Sequence, residues 1–166
     1  MRWFLVGVFV VIGALNATAQ IGTTPSRKTQ ADPRVARVLD ADSIRYSIDG
    51  DGDYRIITQI DSTRTQLCFV ISRTSTYGKI EVRDVMSVAY KTTGDLPARL
   101  MQRLLEQNNR TKIGAWALQR EGETTIVLFK TQIAADAELV PLLHAVIAVS
   151  HTADELEKEL TGKDDY

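Results

Sequence analysis

The sequence has a single cysteine, Cys68. One thiol excludes an internal disulfide, a Cys-x-x-Cys redox pair and a cysteine-rich zinc site, so the fold has to be held by its apolar core. Placed between Leu67 and Phe69 in a strand-like run, Cys68 reads as a small buried apolar side chain. Histidine is almost as scarce, with His144 and His151 the two in the chain. On a helix they stand about 10 Å apart along the axis, beyond joint ligation of one ion, and both read as surface or partly packed side chains. No G-x-S-x-G, H-E-x-x-H or phosphate-loop pattern occurs. Serine hydrolysis, zinc hydrolysis and P-loop nucleotide chemistry therefore have no carrier, and the expectation is a non-enzymatic chain with no metal and no cofactor.

An excess of one charge is also missing, because 20 Lys and Arg stand against 21 Asp and Glu, a formal net charge of -1 with pI near 6.1. Such a balance makes no field that would draw in nucleic acid or an anionic membrane. Long apolar runs are absent as well. The longest, Phe4 to Leu15, falls short of the roughly 20 residues a spanning helix needs. It follows Met1-Arg2-Trp3 and ends in Ala17-Thr18-Ala19, the pattern of a secretory signal peptide cleaved near Ala19. The expected division is a signal peptide over residues 1–19, a flexible Gly/Thr/Ser/Pro-containing linker over 20–31 and one domain over 32–166. The expected location is periplasmic or secreted, without stable membrane insertion after cleavage.

What the chain does contain is ordinary globular text, 44% hydrophobic and 25% charged, enough for one core. Asp32 before Pro33, then Val35, Val38 and Leu39, predict a capped helix to about Ala41. Extended patterns follow around the acidic run Asp49-Gly50-Asp51-Gly52-Asp53. That run resembles the start of an EF-hand loop, but Tyr54 and Ile60 stand where Gly and Glu are required, so it is read as a turn. Leu67 to Ile71 is apolar on both alternating sets, as in a strand covered on both faces, or on one face with a dimer contact on the other. A bulge is expected near Asp84-Val85-Met86, where the alternation of the next strand loses phase.

Leu96 to Leu118 is the most distinctive stretch. Asp95 is the expected cap of an amphipathic helix, Pro97 lies in its first turn, and Asn108-Asn109 is the expected left-handed stop. Leu96, Pro97, Leu100, Met101, Leu104 and Leu105 spread over about half the helix circumference, wider than one sheet face covers. Either the last helix or another chain must take the surplus. Gly114, Ala115 and Ala117 give the following strand little bulk, so that its small-residue face would admit a helix, with Trp116 and Leu118 on the opposite face. Leu100, Met101, Leu104, Leu105 and Trp116 are accordingly the candidate dimer or partner face. Glu121-Gly122 marks a hairpin, and a long helix with its apolar stripe from Leu139 to Leu160 closes the chain.

The resulting order is helix, three strands, helix, two strands, helix: an α+β single-domain sandwich with an antiparallel sheet and packed helices. Several segments resemble the YbjN family of bacterial proteins. They are Ile44-Arg45-Tyr46 leading to Gly52-Asp53-Tyr54-Arg55-Ile56, then Leu104 to Asn109, Lys112-Ile113-Gly114-Ala115-Trp116 and Ala153-Asp154-Glu155-Leu156. The resemblance implies a fold like that of the type III secretion chaperones, which pair as dimers and hold partner segments. It implies a protein-binding, chaperone-like module and a homodimer. An exported, nearly neutral chain departs from the cytosolic, acidic chaperones, which sets aside a role in loading type III effectors. The alternative reading is an envelope protein that binds a small ligand or lipid between helices and sheet.

Overall fold

A computed structural model describes residues 30–166. The expected signal peptide lies outside the described residues, as does the linker except for Gln30 and Ala31. The order is α1 (Pro33–Ala41), β1 (Ser47–Ile48), β2 (Tyr54–Gln59), β3 (Thr65–Tyr77), β4 (Ile80–Thr93), α2 (Ala98–Asn108), β5 (Ala115–Glu121), β6 (Thr124–Ala134) and α3 (Leu139–Thr161). The six strands form one antiparallel sheet in the order β1-β2-β3-β4-β6-β5, with the three helices packed against it. Four strands precede α2 where three were expected. The extra one, β1, pairs through only Ser47 and Ile48 across the Asp-Gly turn. Among the described residues no helix is long and apolar enough to cross a membrane.

Alternation decides which face the helices cover. Ile56, Cys68, Ser87, Phe129 and Trp116 are cross-strand neighbours on one face, and all but Trp116 are buried. The main core gathers their side with Val35 and Leu39 of α1, Leu104 of α2, and Leu142, Val146, Val149 and Leu156 of α3. Burying a residue such as Val149 or Leu156 in that core contributes about 1.5–3 kcal/mol each. The next row of side chains, Arg55, Phe69, Met86, Lys130 and Ala115, points the other way. Its members lie outside the main core.

Two local expectations are corrected. The pairing of β4 shifts register at two places: with β3 between Val70 and Thr74, opposite Arg83 to Val85 where the alternation of the sequence loses phase but with the extra residues on β3 rather than β4, and with β6 between Val88 and Tyr90. The α2 start is also different: Pro97 occupies the cap position without a side-chain bond, its carbonyl accepting from Leu100 and Met101. Asp95 pairs with Arg120 instead, so its carboxylate is unavailable as a cap. α1 begins as expected, with the Asp32 carboxylate accepting from the Arg34 amide at 2.9 Å.

Candidate functional site

The helix α2 and the outermost strand β5 form the site, and the sequence between them explains how. The helix does not end in a left-handed residue: Asn109 has φ -67° and ψ -18°, still right-handed. The Gln107 carbonyl takes the amides of Arg110 and Thr111 and the Thr111 hydroxyl, which closes the last turn. The left-handed conformation passes to Gly114, φ 82°, where an added Cβ would lie 2.6 Å from Phe129 Cε1 and 2.8 Å from the Lys130 carbonyl oxygen. Only glycine lets the chain enter β5 this close to β6.

Asn108, freed from a capping role, reaches across to β5. Its Oδ1 accepts from the Trp116 amide at 2.6 Å, and its Nδ2 donates to the Trp116 carbonyl at 3.3 Å. A residue of an antiparallel strand sends its N–H and C=O to the same side, so both Trp116 groups point away from β6. Asn108 thus occupies one position on the open edge of the sheet as another strand's peptide group would. Two residues on, the main chain of Leu118 points outward by the same alternation, and so does that of Arg120.

The Trp116 side chain turns under α2, donating from Nε1 to Gln107 Oε1 at 2.8 Å and meeting the Phe129 ring edge-on with centroids 5.0 Å apart. This corrects the expected orientation of the strand. The helix lies over the Trp116 and Leu118 side, because the indole fills the space between helix and sheet that small residues would leave empty. What remains is an apolar groove of about 250 Å³ lined by Met101, Leu104, Leu105, Asn108, Trp116, Ala117 and Leu118. Leu105 is 68% and Leu118 49% exposed.

Of the five residues singled out from sequence, Met101, Leu104, Leu105 and Trp116 meet in this groove. Leu100 does not, and packs toward the main core. Leu104 is shared, since it is buried in the core while touching the groove. Asn108 and Leu118 were missed. The signal for Leu118 was the period of two that places it beside Trp116; nothing in the sequence marked Asn108 as an edge partner. The wide apolar arc is buried at Leu104 and half-buried at Leu100 and Met101, and it stays open at Leu105, while α3 reaches α2 through the Glu159–Arg103 ion pair outside that arc.

The other polar clusters pair within the chain. Arg64 is enclosed by Asp154 at 2.7 Å, Glu157 at 3.5 Å and Asp164 at 3.9 Å. These three carboxylates lie close enough to hold an ion, but the guanidinium already occupies their midst. Burial raises the Glu157 carboxyl above its ordinary range, against the amide of Asp165 and the charge of Arg64. The acidic turn is satisfied locally, with Asp49 Oδ1 accepting from the Asp51 and Asp53 amides. Cys68 is fully buried, which pushes its thiol up to about 12, and both histidines are exposed. No protein-family model matches the chain, and no curated protein matches it.

Proposed function

We propose that the chain is a non-enzymatic protein-binding module that holds an extended, apolar segment of a partner polypeptide against α2 and the open edge of β5. The observation that carries this reading is the coincidence of an apolar groove with outward main-chain groups at Leu118. A strand laid beside β5 would pair with those groups while alternate side chains enter the groove, the mode by which exposed sheet edges take up peptides. The Asn108 amide already makes such a paired contact one step away. The resemblance to the YbjN family and the leader-like start support a chaperone-like role outside the cytoplasm. The groove, about 250 Å³, is smaller than the roughly 300–1,000 Å³ usual for small-ligand sites, so this groove suits the side chains of a peptide better than a whole lipid or metabolite.

The test is fluorescence anisotropy with a panel of labelled decapeptides of alternating Leu or Val and Ser or Thr. Binding in the micromolar range is expected for at least one, weakened about tenfold or more by Leu105→Glu. Leu118→Pro separates strand addition from simple apolar contact, because it removes one outward amide at an edge position where proline is tolerated. Absence of binding below about 1 mM across the panel would reject the reading. Binding indifferent to Leu118→Pro would reject the strand-addition mode.

A further inference from the structure

Two adjacent rows of side chains cross the face of the sheet away from the helices. One runs through Arg55, Phe69 and Met86, the other through Ile57 and Leu67 on β2 and β3 and Val88 and Leu128 on β4 and β6. Where these rows reach β1 there is a hollow of about 430 Å³, lined by Arg45, Tyr46, Ser47, Arg55, Ile57 and Leu67. The shortness of β1 creates it, because that strand pairs with β2 only through Ser47 and Ile48. Ser47 stands opposite Arg55, and the chain before Ser47 leaves Ile57 without a strand beside it. The Asp49 amide donates to the Asp53 carbonyl, so by alternation the main-chain groups of Arg55 and then Ile57 turn to that same side.

Charge selects the occupant. The charged residues of the lining are Arg45 and Arg55, and among the described residues neither guanidinium holds a carboxylate. Arg34, Arg64, Arg83, Arg103 and Arg120 each do. Carboxylates of the flanking segments are engaged elsewhere: Asp40 accepts from the Tyr46 hydroxyl at 3.0 Å, Asp49 from the Asp51 and Asp53 amides, and Asp53 from the Ser72 amide at 2.8 Å. Two like charges therefore meet above an apolar floor, where Ile57 is 72% exposed and Leu67 half-buried. We propose that this hollow binds a small phosphomonoester with an apolar body. Its phosphate takes the two guanidinium forks, which suit oxyanions, and its aliphatic or aromatic part covers Ile57 and Leu67. A phosphomonoester carries about -1.5 to -2 at neutral pH and so balances both arginines, whereas a carboxylate leaves one unmatched. The volume lies within the roughly 300–1,000 Å³ of small-ligand sites. The hollow is at the β1 end of the sheet and the peptide groove at the β5 end, so the two sites are separate.

Isothermal titration calorimetry with octyl phosphate tests this, with octanoate and inorganic phosphate as separate arms. Octyl phosphate is expected to bind with Kd below about 100 µM, and the other two at least about tenfold more weakly. Arg45→Gln and Arg55→Gln are each expected to weaken octyl phosphate about tenfold with an unchanged circular dichroism spectrum, since both side chains are exposed. Leu105→Glu, in the peptide groove, is expected to leave this binding unchanged, so the two sites fail separately. Absence of octyl phosphate binding to about 1 mM, or a Kd indifferent to both arginine variants, overturns the proposal. Inorganic phosphate binding as tightly as octyl phosphate removes the apolar body from it. Sedimentation of the chain with phosphatidate vesicles, without binding of free octyl phosphate, would assign the arginines to a membrane surface and likewise overturn it.

Discussion

Gly114 and Arg64 show how much a single position can hold in this fold. At Gly114 a methyl group meets the Phe129 ring and a β6 carbonyl, and the backbone is left-handed. Gly114→Ala is therefore expected to cost about 2–4 kcal/mol by urea unfolding, the sum of strain and overpacking. Arg64 is different in kind, because its loss strands the buried carboxylates of Asp154 and Glu157. Arg64→Met is expected to destabilise by about 3–5 kcal/mol at neutral pH, and Arg64→Lys to recover only part, since an ammonium cannot serve Asp154, Glu157 and the Lys163 carbonyl in one plane. Asn108→Ala is expected to cost about 1–2 kcal/mol, while leaving the Trp116 amide and carbonyl open to an incoming strand. Tighter peptide binding by this less stable variant would be the signature of that exchange.

Among the elements, α1 is attached to the sheet by charge as much as by packing. Burial works against the Asp32 carboxylate, but hydrogen bonds from Arg34 and Arg83 outweigh it and hold it well below the usual carboxylate range. Hydrogen bonds from Arg34, with help from Thr74, lower Glu81 from 4.5 to about 2. A carboxylate held lower in the folded state stabilises it above its unfolded value, and that contribution fades as pH falls through the folded one. Stability from this cluster is therefore expected to be full above about pH 5 and to decline between pH 4.5 and about 2. Asp32→Asn, which keeps a capping oxygen but removes the charge, is expected to flatten that decline in acid titrations followed by circular dichroism. Much at this scale was legible in the sequence: α1 and its Asp32 cap, the Glu121-Gly122 hairpin and the stripe of α3 all rest on local patterns that tertiary contacts leave alone. Where the reading failed, a distant residue had claimed the side chain. Asp95 went to Arg120, Asn108 to Trp116, and the Trp116 indole to Gln107, and a pairing between elements leaves no periodic trace in either one.

At the scale of the whole molecule, large apolar side chains stay exposed in two places, at Leu105 and Leu118 and at Ile57. The α2–β5 groove lies at one edge of the sheet, and the apolar rows lie on its back. The doubled apolar pattern of Leu67 to Ile71 had already pointed to such a back face. What no single segment carried was that Ile57, Met86, Val88 and Leu128 join it, because that follows from strand order and register. The closing segment bears on a further property. Arg64 bonds to Asp154 and to the Lys163 carbonyl, and the Leu67 amide donates to the Tyr166 carbonyl, so the middle of the chain is tied to residues 90 to 99 positions later. Loops of that length close slowly, and until they do the Leu67 amide of β3 lacks its Tyr166 acceptor and Arg64, just before β3, lacks its carboxylate partners. A chain made from its amino terminus can thus assemble α1 and the β2–β4 meander early but cannot lock them until residue 166 has emerged. Through that interval it is a body that other proteins can still unfold, thread or escort.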